Sequence, residues 1–355
     1  MDFEKYKKQF SIKASELGYD IAEIDELLGY ASVLVKQGLP IIYDQEHFSK
    51  LLGLKLSYII AMANSNRKFY KTFEIPKHNG SKRLIEQPLV DLLIIQRWIL
   101  DYILIPASYT YVHHSAKAFM SGMSLTYNLA PHVKKDIVVA LDIKDFFTNI
   151  TFWPVYNIFH EMGYNNKISK LLAQLCLYKG FLPQGAPTSP MLSNLIFYRM
   201  DTAISGYCER RNITYTRYAD DLVFSGKKIQ VKLLVRYVEG RLAKNSLFLN
   251  TEKTKVMGRG NAQYVTGCVV NDKMNVPRQY RKKIRQEVFH LMTKGLSVHF
   301  SKVKGLPSHI KTPESYLNHL LGKIYYVLQI NAEDMEFLKY RDEISQLIQS
   351  VHGEL

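Results

Sequence analysis

The pattern of apolar and polar positions predicts a chain of helices interrupted by a few short strands. In residues 1–70, apolar side chains recur at helical spacing. Residues 71–88 contain two short strand-like runs around a polar, glycine-containing turn at residues 77–81, which predicts a hairpin. We expect a long amphipathic helix to follow, from about residue 89 to residue 105.

The second half of the chain repeats this mixture without a regular alternation of strand and helix. Residues 136–142 form an apolar run that ends in a carboxylate, which is typical of a buried strand. Residues 213–225 read as two strands joined by a tight turn. The further helices are expected at residues 153–178, 190–212 and 231–244 and over most of 280–350. Together these elements predict an α+β fold with a helical C-terminal part.

Composition adds a positive charge to this picture. The 355 residues include 47 Lys and Arg against 32 Asp and Glu, a formal net charge of +15. The excess is not in a tail, because residues 273–323 alone hold 11 basic and 2 acidic side chains. Such a surface favours a polyanionic partner, most often nucleic acid. On charge alone, a basic protein without such a partner remains an alternative.

Several classes of protein are disfavoured. The N-terminus lacks the apolar core of a signal peptide. Residues 89–106, the most apolar long stretch, contain four charged or amide side chains, so we expect no membrane span. The three cysteines are far apart and form no Cys-x-x-Cys pair, which predicts neither a disulfide framework nor a zinc site. A reducing, cytoplasmic location fits best.

Acidic residues give the sharpest local feature. Asp220 and Asp221 are adjacent within the run Tyr-Ala-Asp-Asp, between two apolar strands. Burial and mutual repulsion disfavour their ionised forms, and a divalent cation would relieve that cost. Asp142 ends its own apolar strand. Acids on distant strands suit a two-metal phosphoryl-transfer site, and Mg²⁺ suits such carboxylates. For the adjacent pair alone, a solvated polar turn is the alternative.

Three motifs in order identify a family resemblance. LDIKDFF at residues 141–147, LPQGAPTSP at 182–190 and YADD at 218–221 resemble the reverse transcriptases. The resemblance implies a right-hand polymerase fold with fingers, palm and helical thumb, and RNA-directed DNA polymerase activity. It also implies a division of the chain into an N-terminal helical extension at 1–70, fingers and palm at 71–270, and a thumb that binds RNA or duplex at 271–355.

The resemblance assigns roles to the acids. Asp142 and Asp220 match the principal ligands of two Mg²⁺ ions, and the carbonyl of Ile143 would complete one coordination shell. Asp221 matches the second acid of the motif. Lys253 matches a lysine that would protonate the pyrophosphate leaving group, with an exposed lysine at a strand edge as the alternative.

The resemblance also predicts a nucleotide site for deoxynucleoside triphosphates. Phe147 takes the position of an aromatic gate against the ribose 2′-OH. Lys82 and Arg83 match the two cations of the fingers that would hold the triphosphate. The alternative for these two residues is a solvated hairpin. The complete predicted set is Lys82, Arg83, Asp145, Phe146, Phe147, Gln184 and Gly185.

Two further motifs resemble the bacterial retron enzymes. Val265, Thr266 and Gly267 follow the lysine motif, and Asn128 and His132 keep the separation of a retron NAxxH element, although alanine stands at its third position. A core or capping histidine and an ordinary strand end are the alternatives. The subgroup implies a structured noncoding RNA as partner and template, and initiation from a 2′-OH of that RNA. It also implies a multicopy single-stranded DNA product and a separate effector protein in phage defence.

Basic side chains in the expected thumb predict contact with RNA or duplex. They lie on a probable helix together with aromatic residues, a mixture that suits backbone contact and stacking. A solvated helix face is the alternative. These residues are Arg281, Lys282, Lys283 and Arg285.

Two rival functions remain open at this point. One is another bacterial reverse transcriptase, of the group II intron or abortive-infection kind. The other is a catalytically idle, maturase-like RNA-binding protein, which the three intact acids disfavour.

Overall fold

The computed structural model describes residues 2–64, 66–76, 80–303, 305–308 and 310–353. Fifteen α-helices and eight strands lie in this part of the chain. The helices are α1 Phe3–Glu16, α2 Ile21–Lys36, α3 Gln45–Leu52, α4 Leu56–Asn64, α5 Val90–Ile99, α6 Ile105–Tyr111, α7 Thr126–Leu129, α8 Phe152–Glu161, α9 Asn166–Cys176, α10 Thr188–Glu209, α11 Val231–Ala243, α12 Arg278–Lys294, α13 Leu296–Phe300, α14 Pro313–Ile330 and α15 Met335–Gly353. The strands are β1 Tyr70–Pro76, β2 Lys82–Pro88, β3 Ile137–Asp142, β4 Thr214–Tyr218, β5 Asp221–Gly226, β6 Lys255–Gly258, β7 Tyr264–Val265 and β8 Cys268–Val269. The predicted α+β class is confirmed.

The chain divides into two compact units, and the first consists of Met1–Ser121, Asp142–Cys208 and Lys232–Thr251. It is mainly helical. A buried amide ties its helices together, because Gln96 on α5 donates to the Tyr70 hydroxyl and to the Leu175 carbonyl, each at 2.8 Å. Pairing these donors inside the core offsets the cost of removing them from water.

The predicted hairpin is confirmed in the first unit. Strands β1 and β2 pair antiparallel from Tyr70↔Pro88 to Pro76↔Lys82. The part of the predicted turn at residues 77–79 lies outside the described residues.

The helix expected at residues 89–105 is present but interrupted. Between α5 and α6 the chain makes a π-helical turn, Leu100–Leu104. Pro106 lies in the first turn of α6 and has no backbone N–H, and its ring would clash with the carbonyl four residues earlier in a regular helix. The wider π-helical turn before Pro106 accommodates its ring and its missing N–H. The helix expected at 153–178 is also divided, into α8 and α9.

The second unit consists of Gly122–Leu141, Glu209–Val231 and Glu252–Leu355. Its sheet has the strand order β4-β5-β3-β6. Strands β4 and β5 pair antiparallel from Thr214↔Ser225 to Tyr218↔Asp221, so the predicted strand, turn and strand are confirmed. Buried side chains of β3 and β5 share one hydrophobic core with those of α12, α14 and α15. Burial of this apolar face holds sheet and helices together.

None of the described helices combines the length and the apolar character that a membrane span requires.

Candidate active site

The acid at the end of β3 stands on a firmly held backbone segment. The Asp142 carbonyl accepts from the Asn250 N–H at 2.7 Å, and Ile143 forms an antiparallel bridge with Leu249. The next N–H, that of Lys144, donates to the Phe248 carbonyl at 2.9 Å. The side chains of Asp142 and Ile143 are both buried. These contacts, all within the first unit, hold the backbone of residues 142–144 in place.

The adjacent acids lie at a two-residue turn. Tyr218 and Asp221 form the last pair of the β4–β5 ladder, which leaves Ala219 and Asp220 as the turn residues. Ala219 has φ +58, in the left-handed region that is costly for a residue with a Cβ. The buried Arg217 guanidinium donates to the Ala219 carbonyl at 3.2 Å. The turn is thus a strained feature that its neighbours maintain. Asp220 on the turn and Asp221 at the start of β5 are both half-buried.

The chemistry of these acids fits hard divalent cations. β3 and β5 are neighbours in the sheet, with Asp142 last in β3 and Asp221 first in β5. Carboxylate and carbonyl oxygens are the ligands that Mg²⁺ prefers. Within the described part of the chain, no three acid, histidine or cysteine side chains are already grouped closely enough to enclose a metal ion. In residue type, the three acids match the oxygen ligands of such cations, and their role as metal ligands stays a prediction.

An open cleft in the first unit gathers several of the predicted nucleotide residues. It has a volume of about 490 Å³ and is lined by Arg83, Phe147, Gln184 and Gly185. That size is within the range of small-ligand sites. Arg97 adds a second guanidinium, and no carboxylate lies among the described residues that line the cleft. An aromatic wall beside two exposed guanidinium groups suits a nucleoside triphosphate.

Glycine is required at position 185 because the motif loop lies against β2. The Glu86 N–H donates to the Gln184 carbonyl at 2.9 Å. Gly185 has φ +137, and a Cβ there would lie 2.9 Å from the Glu86 carbonyl oxygen. Any other residue would push the loop away from the strand. Burial raises the pKa of the Glu86 carboxyl.

The tertiary structure adds members to this cleft that the motifs did not indicate. Phe119, with φ +64, brings its ring centroid 6.4 Å from that of Phe147. Ser189 is buried, and its hydroxyl has no hydrogen-bond partner within the described structure. Gln87 and Arg97 also line the cleft. Ser189 belongs to the LPQGAPTSP motif and could have been found there, whereas no sequence pattern marks Phe119.

The remaining predicted nucleotide residues lie elsewhere. Phe146 is buried and packs on Phe197, with ring centroids 5.1 Å apart, so its predicted nucleotide contact is corrected to a core role. The Lys82 ammonium lies 2.7 Å from Glu74 in an exposed ion pair on the hairpin. Asp145 is exposed, with φ +48, and its carbonyl accepts from the Asn149 N–H. It does not line the cleft.

A buried histidine joins the two strands that carry the YADD turn. His132 contacts Ser225 on β5 through Nδ1 and Thr216 on β4 through Nε2, each at 2.7 Å. Its side chain is fully buried, and this desolvation lowers the pKa of the imidazole to about 3. The ring is therefore neutral and carries one donor and one acceptor, which the two hydroxyls complement.

The two retron-like motifs meet in the second unit. The Asn128 amide donates to the Thr266 hydroxyl at 3.3 Å. Thr266 and Gly267 are the turn residues between β7 and β8 and have φ +42 and +82. Both conformations are left-handed, as in the tight turns that favour glycine. The motif therefore forms a short hairpin.

Burial changes the interpretation of these motifs. Asn128, His132 and Val265 are completely buried, which does not favour direct contact with RNA, and their role in RNA binding stays a prediction. Their described contacts are internal, and they position the backbone. Thr266 and Gly267 keep exposed surface, so RNA contact there stays a prediction.

The four basic thumb residues divide into two pairs. Arg281 lies 2.6 Å from Asp334, and Arg285 forms an ion pair with Glu336. The Arg285 guanidinium lowers the pKa of Glu336. Two of the four cations therefore hold α12 against the start of α15. Lys282 and Lys283 are exposed and remain candidates for contact with a phosphate backbone.

Lys253 is exposed at the end of a short 3₁₀-helix, Thr251–Lys253, directly before β6. Its role as a proton donor stays a prediction.

Comparison with known proteins places these features in context. The sequence family described as reverse transcriptase (RNA-dependent DNA polymerase) matches residues 75–304. The retron Ec86 reverse transcriptase of Escherichia coli is 32% identical over 282 residues, which cover 78% of this chain and 87% of that protein. The retron Mx65 reverse transcriptase of Myxococcus xanthus is 32% identical over 339 residues, which cover 89% of this chain and 75% of that protein. Among solved structures, a telomerase from Candida albicans in complex with a fragment of telomeric RNA aligns with a TM-score of 0.48 at 11% identity, covering 80% of this chain and 64% of that one.

Proposed function

Because this chain belongs to the reverse transcriptase family, as a retron-type RNA-directed DNA polymerase with the right-hand polymerase fold, we propose that it copies a structured noncoding RNA into multicopy single-stranded DNA. The product remains joined to the RNA from which synthesis starts. The observation that carries the proposal is the cleft that holds Arg83, Phe147, Gln184 and Gly185 together. These four residues come from three separate sequence motifs, and each has a role in binding a deoxynucleoside triphosphate.

The acids are assigned to metal binding. Asp142, Asp220 and Asp221, with the carbonyl of Ile143, would hold two Mg²⁺ ions. When bound, these ions activate the attacking hydroxyl and neutralise charge on the leaving pyrophosphate. Asp142 is buried at the end of β3, Asp220 lies on the turn that contains the left-handed Ala219, and Asp221 begins β5, so the backbone that carries the acids is ordered before substrate arrives. Such preorganisation lowers the cost of assembling the site during the reaction.

The residues of the cleft bind and orient the nucleotide. Arg83 and Arg97 would pair with the triphosphate, and the unpartnered Ser189 hydroxyl offers a further hydrogen bond. The Phe147 ring would occupy the space that a ribose 2′-OH needs, which selects deoxynucleotides. As the attacking oxygen bonds to the α-phosphorus, the bond to pyrophosphate breaks. Lys253 would then give its proton to the leaving oxygen.

The biological setting completes the proposal. Retron membership suggests that the RNA–DNA product acts with a separate effector protein in defence against phage. The RNA supplies both the template and, through an internal 2′-OH, the first primer. The net charge of +15 supports a stable complex with such a polyanion.

Sequencing the nucleic acid that copurifies with the native protein tests this function. We expect a branched RNA–DNA species with one fixed start. The Asp220→Asn/Asp221→Asn double variant should retain the RNA and lose the DNA, because two of the three carboxylates that would hold the metals lose their charge. Unbranched DNA with variable starts would contradict the retron assignment and favour another bacterial reverse transcriptase. DNA synthesis by the double variant would contradict the assignment of the acids.

A further inference from the structure

Helix α8 presents a row of aromatic rings that the polymerase chemistry does not use. The rings of Phe152, Trp153, Tyr156 and His160 form what we term the α8 aromatic face. Phe152 and Tyr156 stack with centroids 5.8 Å apart, and Tyr156 and His160 stack at 5.6 Å. The Trp153 ring contacts both Phe152 and Tyr156 edge-on, at 5.3 and 5.7 Å. The row is therefore a continuous and internally supported surface.

Trp153 and His160 are the exposed members of this row, and Trp153 is the larger apolar ring. Its side chain is 66% exposed, whereas the other tryptophan of the chain, Trp98, packs against Phe48 and Tyr102. A single exposed ring is common on protein surfaces, but a ring that continues a contiguous aromatic patch is typical of an interaction site. The contacts with Phe152 and Tyr156 restrict the ring before any partner binds, which lowers the entropic cost of binding.

Two clefts adjoin the aromatic face, and both are basic: Trp153 lines the first and Phe152 lines the second. The first, the Lys244 cleft, has a volume of about 490 Å³ and is lined by Trp153, Tyr198, Arg199 and Lys244, among others. Its one lining carboxylate, Glu161, pairs with Arg199 at 3.1 Å. The Lys244 ammonium therefore gives this cleft a positive balance.

The second cleft, the Lys179 cleft, has a volume of about 560 Å³. Phe152 lines it together with three cations, Arg67, Lys68 and Lys179. No carboxylate lies among the described residues around it. All three cations are exposed, so they are available to a partner that approaches the aromatic face.

Charge and aromatic surface together indicate the class of partner. An apolar protein surface would cover the rings but would leave five cations opposite a single carboxylate. A single-stranded nucleic acid satisfies both features, because its bases stack on exposed rings and its phosphates neutralise the cations beside them. A duplex keeps its bases stacked on each other and cannot use the ring in this way.

We propose that the α8 aromatic face and the Lys244 and Lys179 clefts bind an unpaired segment of RNA. This proposal rests on the proposed function only for the choice of RNA as the nucleic acid. Stacking on Trp153 supplies most of the base contact, and the clefts hold the backbone on either side. Because every base has a stacking surface, the site accepts many sequences.

Fluorescence anisotropy with a 12-nucleotide, fluorescein-labelled single-stranded RNA tests the site. We expect Trp153→Ala to weaken binding by at least about fivefold, the lower limit for loss of one stacked base, and Trp153→Phe to retain most of the affinity. Tyr109→Ala is the matched control, because Tyr109 is 83% exposed and lies outside both clefts. Equal affinities of the native and Trp153→Ala proteins would overturn the proposal.

Salt dependence tests the cations separately. Lys179→Ala/Lys244→Ala should reduce the slope of log affinity against log salt by about 1.4, because each phosphate contact to a single strand contributes about 0.7. Lys13→Ala/Lys36→Ala removes two exposed lysines from α1 and α2 and should leave the slope unchanged. Equal slopes for the two double variants, or tighter binding of DNA of the same sequence or of duplex RNA, would overturn the site as proposed.

These readouts measure binding alone, so failure here and failure of the polymerase function are distinguishable. If the native protein makes branched DNA while Trp153→Ala binds the RNA normally, the site is wrong and the proposed function stands. If Trp153→Ala weakens binding while the native protein makes no DNA, the RNA site stands and the proposed polymerase function is wrong.

Discussion

Two regions use polar side chains in opposite ways. The first is the cleft of the first unit that Arg83 and Phe147 line, and the second is the cluster of His132, Thr216 and Ser225 in the second unit. In the cleft, two guanidinium groups and a half-buried glutamine line an open volume of about 490 Å³. In the cluster, an imidazole with no exposed surface lies between the hydroxyls of Thr216 and Ser225. The polar groups of the cleft can still form hydrogen bonds to a ligand. The imidazole of the cluster already forms its hydrogen bonds within the protein.

Under the proposed function, this difference separates residues that would act on substrate from residues that maintain geometry. Motif residues from both groups are equally conspicuous in the sequence. A buried neutral histidine that bridges β4 and β5 holds together the two strands on which the YADD turn stands. The turn contains Ala219 in a left-handed conformation, so it depends on such support. The comparison predicts that changes in the cluster reduce stability and turnover, whereas changes in the cleft alter substrate binding and selection.

The largest effect on stability is expected for His132→Phe. Phenylalanine fills a similar volume but leaves two buried hydroxyls without the imidazole, at about 1–3 kcal/mol each. We expect a loss of about 2–6 kcal/mol in the free energy of unfolding by urea, and a lower kcat with little change in KM for dNTPs. His132→Gln can still form a hydrogen bond to at least one hydroxyl, so it should recover part of the lost stability and part of the lost kcat. A higher KM with unchanged stability would break the distinction between the two regions.

Selectivity should change most for Phe147→Val. Removing the ring opens the cleft beside Phe119, so we expect ribonucleotide incorporation relative to deoxynucleotide incorporation to rise about 10- to 100-fold, equivalent to about 1.4–2.8 kcal/mol of discrimination. Single-nucleotide extension assays measure the ratio. Stability should change little, in contrast to His132→Phe. An unchanged ratio would show that the ring does not act as the gate.

Acid should destabilise the native protein through His132. Because its pKa in the folded protein is about 3 and its ordinary value is 6.5, the unfolded chain binds the extra proton first. Stability is therefore fully present above pH 6.5 and is lost as pH falls toward 3, by up to about 1.4 kcal/mol per pH unit. Urea unfolding at several pH values should give a shallower dependence for His132→Gln. Identical pH profiles would mean that the imidazole is not buried as described.

The smallest expected effects are those of replacing Arg83 or Lys82, two neighbouring cations of β2. Arg83→Gln removes a charged donor from the cleft, and we expect KM for dNTPs to rise about tenfold. Lys82→Gln removes only an exposed ion pair with Glu74, which is worth at most about 1 kcal/mol, and KM should change less than twofold. Steady-state kinetics on an RNA template measures both. Equal effects would indicate that Lys82 also reaches the triphosphate.

Much of the local structure around the candidate site could be predicted from the sequence because it depends on local pattern. The apolar run of β3 predicts a buried strand with Asp142 at its end, and the Tyr-Ala-Asp-Asp run predicts a strand, turn and strand. Phe147 and Gln184 were found from motif spacing, and both line the cleft. The proline-related π turn before α6 was missed, because an amphipathic pattern continues through it.

The sequence by itself determined which residues carry acids, aromatic rings and cations, and which short runs form strands, because these properties depend on residue type and near neighbours. Only the tertiary structure decided which of them are accessible. The burial of His132 between Thr216 and Ser225, the core position of Phe146, the pairing of Arg281 with Asp334 and the entry of Phe119 into the cleft all bring together residues distant in sequence. Long-range packing decides which polar groups retain contact with water, and that accessibility separates a ligand-binding side chain from a structural one.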